Sequence, residues 1–265
     1  MKKRLVAALF LVGCASDPPP RTEPAPLVIP PMASASASSA PVAAPEPVEE
    51  FAGGPSIAAR DPRWAARKPR SRALMLTEAQ GLERLLGSTA TNAPDRPELL
   101  RRTADTYIEL ARTSDAKARS DARRKGIELY EILVRDHPTY ASLDEVRYYL
   151  ALEYELKGDL KNARTIYYDL IRNHPSSKLI PLAYFAFGEI FFLEAQNDPS
   201  KNDLAAQAFL EVIKYPAPTN TILSDALLRL AQTYDRKGEP QKAKQMLDRL
   251  LRDHPDSEAA ARAKR

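Results

Sequence analysis

From about residue 74 onward, apolar residues recur every three or four positions, which is the spacing of helices with one buried face. Thr77–Gln80 comes just before the first apolar run and is typical of a capping box at a helix start. Gly87 predicts the end of this helix. The pattern therefore predicts a leading helix and loop over residues 74–96 and helical hairpins over residues 97–265.

Two stretches of this region repeat each other. Residues 144–175 and 224–255 align without a gap at eight large, small, aromatic or turn positions. Ala151 and Ala163 predict close packing of two helices, and Gly158 between them predicts a tight turn. The same residue types stand at the matching positions of the second stretch, so each stretch is predicted to be one helical hairpin.

Two irregular units complete the pattern. One lies before the first regular stretch and ends at Pro138, with about ten extra residues in Arg112–Arg123 that are predicted to extend both of its helices. The other ends near Pro216 and has about five extra residues around Gln196–Lys201. Ser257–Arg265 is long enough only for a short capping helix.

The residue types at these spacings resemble the tetratricopeptide repeat. The resemblance implies an all-α fold, a right-handed α-α superhelix of about four helical hairpins. In such a stack each hairpin buries its apolar face against its neighbours, and the first helix of each pair lines the inner surface.

Helical spacing then predicts which side chains of the first helices point into a groove on this inner surface. The predicted partner-binding residues are Glu145, Tyr148, Leu152, Glu155, Leu182, Phe185, Glu189, Phe192, Leu228 and Asp235. An apolar strip rimmed by acids suits an extended or helical peptide with apolar anchors and Lys or Arg flanks. For Phe185 and Phe192 the alternative is burial against a neighbouring helix.

The three histidines of the chain, His137, His174 and His254, each stand directly before a proline at the end of a unit. A cation suits a helix C-terminus and a following proline stops the helix, so they are predicted to mark helix ends. The sequence has no His-Glu-x-x-His, phosphate-loop or Gly-x-Ser-x-Gly motif. We therefore predict no catalytic site, metal or cofactor.

The residues before the helical region have a different composition. Thirteen of the 23 prolines fall between Pro18 and Pro69, together with many alanines and serines. Such a segment cannot bury enough apolar surface to fold. We therefore predict a disordered, semi-extended tether over residues 14–73 that separates the array from whatever holds its amino end.

The amino end carries a candidate anchor. A basic stretch, Met1–Arg4, precedes an apolar run that is too short to cross a membrane, and Leu11–Cys14 follows. These features resemble the signal peptide and lipobox of bacterial lipoproteins. The resemblance implies removal of residues 1–13 and attachment of lipid, including palmitate, to the single cysteine, Cys14. Loss of the three basic residues in this signal lowers the net charge from +4 to +1, which argues against a nucleic-acid partner.

A basic segment over residues 60–72 ends the tether. Arg63, Trp64, Arg67 and Lys68 combine positive charge with the only tryptophan, which favours contact with an anionic membrane or wall polymer. The alternative is a solvated linker.

Lipobox, repeats and the proline that ends each repeat together resemble envelope tetratricopeptide lipoproteins, such as BamD-like components of β-barrel assembly and proteins associated with the Tol–Pal system. The long tether departs from the BamD-like pattern, in which the repeats begin soon after the lipidated cysteine. The resemblance implies a scaffold for envelope proteins. Ala15 and Ser16 imply an outer-membrane anchor facing the periplasm, with the inner membrane or cell surface as alternatives. Another alternative is an accessory lipoprotein of a secretion or motility machine. A peptidoglycan-remodelling enzyme is the least favoured, because no domain of enzymatic size is left over.

Overall fold

A computed structural model of the chain describes residues 55, 57–63, 70–216, 218 and 220–264. In these residues all regular structure is helical. A 3-10 turn, Ile57–Arg60, is followed by α1 (Arg72–Ser88), α2 (Arg96–Arg112), α3 (Ala116–Asp136), α4 (Leu143–Leu156), α5 (Leu160–Asn173), α6 (Ile180–Glu194), α7 (Lys201–Val212), α8 (Leu223–Arg236), α9 (Pro240–Asp253) and α10 (Glu258–Ala263). The predicted signal peptide, Cys14 and most of the predicted tether lie outside the described residues, which include residues 55, 57–63 and 70–73 of that tether.

The helices form four hairpins, α2–α3, α4–α5, α6–α7 and α8–α9. Each helix packs on the next one along the chain, α1 covers the first hairpin, and α10 packs on α8 and α9. This arrangement confirms the predicted all-α superhelix of helical hairpins. None of the helices in the described part of the chain is long and apolar enough to cross a membrane.

The predicted turn and end signals act as expected. Gly158 and Gly238 have φ angles of 85° and 72°, in the left-handed region that glycine adopts without strain. The backbone N–H groups of His137, His174 and His254 donate to carbonyls four residues earlier, at 2.9–3.0 Å, and each histidine ends its helix. The histidines therefore stand in equivalent end positions of separate hairpins.

The irregular units differ from the regular ones in two ways. The six residues 195–200 connect α6 to α7, where the sequence predicts a longer turn. In the first hairpin, α2 ends at Arg112 and α3 already begins at Ala116. α2 ends five residues after Tyr107, whereas α4 ends two residues after the matching Tyr154, and α3 has 21 residues where α5 has 14. The extra residues therefore lengthen both helices, as predicted.

The start of α1 also differs from the prediction. Ser71 precedes the helix, and its hydroxyl accepts a hydrogen bond from the Leu74 N–H at 3.3 Å. Thr77 lies inside the helix, where its hydroxyl donates to the Ala73 carbonyl at 3.1 Å. The helix starts earlier because Ser71 supplies the cap, so the predicted capping box at Thr77 was wrong.

Candidate functional site

A short segment of the chain lies against the inner face of α4. We call residues 57–63 the inner segment. Ile57 is buried and packs against Leu152, Leu156 and Leu193, which belong to α4 and α6. The inner surface predicted to bind a partner is thus already covered in part by a piece of this chain.

Arg60 forms the deepest contact between the inner segment and the array. Its guanidinium is fully buried and donates to both carboxylate oxygens of Glu155, with 3.2 Å between Nη1 and Oε2. Tyr167 donates to the same carboxylate at 3.1 Å, and Tyr148 donates to the Arg60 carbonyl at 2.7 Å. Burial by itself lowers the pKa of Arg60, but the charge of Glu155 raises it above the ordinary value. The arginine therefore stays charged.

Arg63 makes a second set of contacts nearer the first hairpin. It donates to both carboxylate oxygens of Asp61, at 2.9 and 2.7 Å, and to Glu153 at 3.2 Å. It also donates to the Tyr130 hydroxyl at 2.8 Å, and its guanidinium lies 4.0 Å from the centre of the Tyr149 ring. The side chain of Arg63 is buried, because these acids and rings surround it. The sequence had predicted that this residue would be exposed and would contact a membrane or wall polymer. Trp64, Arg67 and Lys68 lie outside the described residues.

A third arginine of the predicted basic segment extends the same scheme. Arg70 donates from Nε to Glu109 of α2 at 2.9 Å and from Nη1 to Glu78 of α1 at 2.5 Å. Arg60, Arg63 and Arg70 therefore each meet acids of the array, in an order that runs from α4 back towards α1. At these three positions the positive charge of the basic segment therefore pairs with acids of the same chain.

Three residues predicted to line the groove share one face of α4. Tyr148, Leu152 and Glu155 are spaced by four and three positions, and all three contact the inner segment. Phe185 and Phe192 of α6 are buried with ring centres 5.5 and 6.5 Å from that of a phenylalanine in α7. Both aromatic residues are therefore buried against a neighbouring helix, which is the alternative, and the guanidinium of Arg60 also lies 6.0 Å from the centre of the Phe185 ring.

The other predicted groove residues lie in varied surroundings. Glu189 is fully buried and pairs with Arg229 of α8, with 2.7 Å between Nε and Oε1, and Leu228 is buried as well. Leu182 is half-buried and Asp235 is exposed. Glu145 pairs with an arginine of α2 but stays 43% exposed and lines an open cleft of about 550 Å³ beside α4. The ten predicted residues therefore do not form one continuous open groove.

Burial raises the pKa values of two acids that pair with arginines. Burial raises the pKa of Glu153, while Arg63 and Arg123 oppose the rise. Burial also raises the pKa of Glu189, and Arg229 opposes that rise. For each of these carboxylates, a nearby arginine thus offsets part of the pKa rise that burial causes. In the described residues, no group of three or more His, Cys, Asp or Glu is arranged to hold a metal ion.

These observations define a helical-hairpin repeat protein with a peptide-like segment on its inner surface. The tetratricopeptide repeat family model matches residues 145–177 and 225–257, which are the two regular hairpins. The chain therefore contains tetratricopeptide repeats, which generally serve as protein-interaction scaffolds.

Comparison with the curated proteins found no match. Among solved structures, the chain is similar to BtubC (BKLC) from P. vanneervenii, with 15% sequence identity and a TM-score of 0.41. The alignment covers 68% of this chain and 88% of that one. At this identity and score, the similarity carries no information on function.

Proposed function

We propose that this protein is a lipid-anchored envelope scaffold that holds a segment of a partner protein on the inner face of α4. One observation carries the proposal: this face already holds a segment of chain through an apolar contact and buried arginine–carboxylate contacts. Side-chain anchors that enter a preformed helical surface are a common way to recognise a peptide.

The envelope part of the proposal rests on the sequence. The Leu11–Cys14 lipobox supports lipid attachment at Cys14, and the residues after it favour an outer-membrane anchor that faces the periplasm. A protein anchored there would meet other envelope proteins. Components of β-barrel assembly are the first candidates for the partner, and proteins of a secretion or motility machine are the second.

Metabolic labelling with palmitate tests the anchor. We expect the full chain to incorporate label and to float with membranes, and the Cys14→Ser variant to lose both properties because the cysteine thiol is the group that forms the thioether to the diacylglyceryl lipid. Unchanged flotation of the variant would contradict lipid anchoring at this residue.

Site-specific photocrosslinking in cells tests the partner surface. We would place the crosslinking residue at Glu145, beside the inner face of α4, and at Lys244 on α9 as a control that is 75% exposed. The proposal expects an adduct from position 145 and none of the same mass from position 244. Mass spectrometry of the adduct then separates β-barrel assembly components from secretion or motility proteins. Adducts from position 244 alone would refute the inner-face site.

A further inference from the structure

The carboxylate of Glu155 lacks a basic partner within the array. In the part of the chain that the structure describes, the carboxylate of Glu155 accepts hydrogen bonds only from Arg60 of the inner segment and from the Tyr167 hydroxyl. Glu189 differs, since its positively charged partner, Arg229 of α8, belongs to the array itself. A fully buried carboxylate with no charge partner is costly, so the inner face of α4 is incomplete without an arginine that comes from outside the hairpins.

The inner segment meets this need with a spaced set of side chains. Ile57 fills the apolar part of the face, and arginines three and six positions later meet Glu155 and Glu153. Its described backbone contact with α4 is one hydrogen bond, from the Tyr148 hydroxyl to a carbonyl. Recognition therefore depends on side-chain chemistry, which a segment of another protein can reproduce.

The fit of the inner segment is imperfect at its main anchor. The Nε atom of Arg60 is buried, and no hydrogen-bond partner for it exists among the described residues. A buried donor without an acceptor lowers the net gain from docking. A segment that presents its arginine to Glu155 and also satisfies this donor would bind the face more tightly than the chain's own residues do.

Resting on the proposed function above, we propose that the inner segment is an internal substitute for the partner. The partner then presents an apolar residue followed by arginines three and six positions later, and it binds by displacing residues 57–63 from α4. Because the inner segment is tethered, it competes at an effective concentration of roughly millimolar. Only a partner that is also held near the array, or one that pairs better with Glu155, displaces it.

A labelled peptide with the sequence of residues 55–63 tests this competition. We would measure its binding by fluorescence anisotropy to the full chain in detergent and to a released variant carrying Ile57→Ala, Arg60→Ala and Arg63→Ala. The peptide is expected to bind the released variant about ten-fold or more tightly than the unchanged chain, since the tethered competitor is gone. Adding Glu155→Gln to the released variant should remove this gain.

Two controls keep the result interpretable. A peptide with Lys in place of Arg60 keeps the charge but cannot contact both carboxylate oxygens, so its binding should fall. If circular dichroism shows that the released variant loses helix, the milder Arg60→Lys chain replaces it and should still bind the unaltered peptide more tightly than the unchanged chain. Equal affinity for the unchanged chain and for every folded variant would overturn the inference.

The outcomes also separate this inference from the proposed function. If the crosslinker at position 145 gives the same amount of adduct in the otherwise unchanged chain and in the released variant, the proposed partner surface is supported and displacement of the inner segment is refuted. Peptide binding as expected, without any adduct in cells, supports the inner-segment chemistry and refutes the proposed partner site. A dimer that becomes monomeric when the three side chains are removed would show a second copy's segment on α4, which contradicts a separate partner.

Discussion

Replacing Arg229 with Met tests how much the array depends on its buried charge pairs. Arg229 of α8 and Glu189 of α6 are 1% and 0% exposed, with 2.7 Å between Nε and Oε1 and 3.0 Å between Nη2 and Oε2. Met keeps an unbranched apolar chain beside Phe192, whose ring centre lies 4.8 Å from the guanidinium. The substitution therefore removes the charge with little change of volume.

The loss of stability depends on how the carboxylate of Glu189 responds when its partner is removed. Breaking a buried pair by removing one partner costs about 3–5 kcal/mol. Glu189 can limit this loss by taking up a proton, which costs about 3.7 kcal/mol at pH 7 and about 1 kcal/mol at pH 5 for a glutamate with a solution pKa near 4.3. The folded variant then holds a proton that the unfolded chain releases, so its stability falls as pH rises above that pKa. We expect a loss of about 3–4 kcal/mol at pH 7 and about 1–2 kcal/mol at pH 5.

Urea unfolding followed by circular dichroism at both pH values measures these losses. The double variant Arg229→Met, Glu189→Leu should recover most of the stability, because it leaves no buried charge. Arg60→Met is the matched comparison: Glu155 can regain water if the inner segment leaves α4, so the loss should be smaller. A loss below about 1 kcal/mol for Arg229→Met at pH 7, or one that does not shrink at pH 5, would refute the reasoning.

Three further substitution and titration experiments test the fold. Gly238→Ala should destabilise by about 1–2 kcal/mol in urea unfolding, since alanine is strained at φ 72° although its Cβ has open space. Gly81→Ala, its control inside α1, should instead stabilise by about 0.5–1 kcal/mol, and equal effects would contradict this. Gly188→Ala should cost about 1–3 kcal/mol, because its Cβ would lie 2.7 Å from a phenylalanine ring of α7, and a neutral effect would mean that the helices can separate. In an NMR titration His174 should show a pKa below its usual 6.5, since burial and the Arg147 charge both lower it. Its contribution to stability is then complete above pH 6.5 and is lost as pH falls through the folded pKa; an unshifted titration would exclude this.

Local features of the fold could be predicted from the sequence because nearby residues cause them. Gly158 and Gly238 lie in the turns between paired helices, and the His-Pro dipeptides lie where helices end. These effects act within one or two turns of helix, so spacing along the chain reveals them. Two hairpins with identical offsets then predict a stack, since neither can bury its apolar face alone.

The candidate site could be predicted only in part. Tyr148, Leu152 and Glu155 share a face of α4 in the structure, as a helix with 3.6 residues per turn requires. Helical spacing could not show what covers that face. When only their positive charge was considered, the arginines that follow Ile57 predicted contact with an anionic membrane or wall polymer. The acids predicted on the inner surface were the signal that these arginines could instead pair within the chain.

The sequence by itself thus determined the helices, their turns and the order of the hairpins, all of which depend on contacts between neighbours along the chain. Only the tertiary structure decided that residues 57–63 lie on α4. Arg60 and Glu155 are 95 positions apart, and no periodic pattern links an irregular segment to a helix face so distant. Their pairing depends on burial, which removes water from both charges at once and exists only after the array has formed.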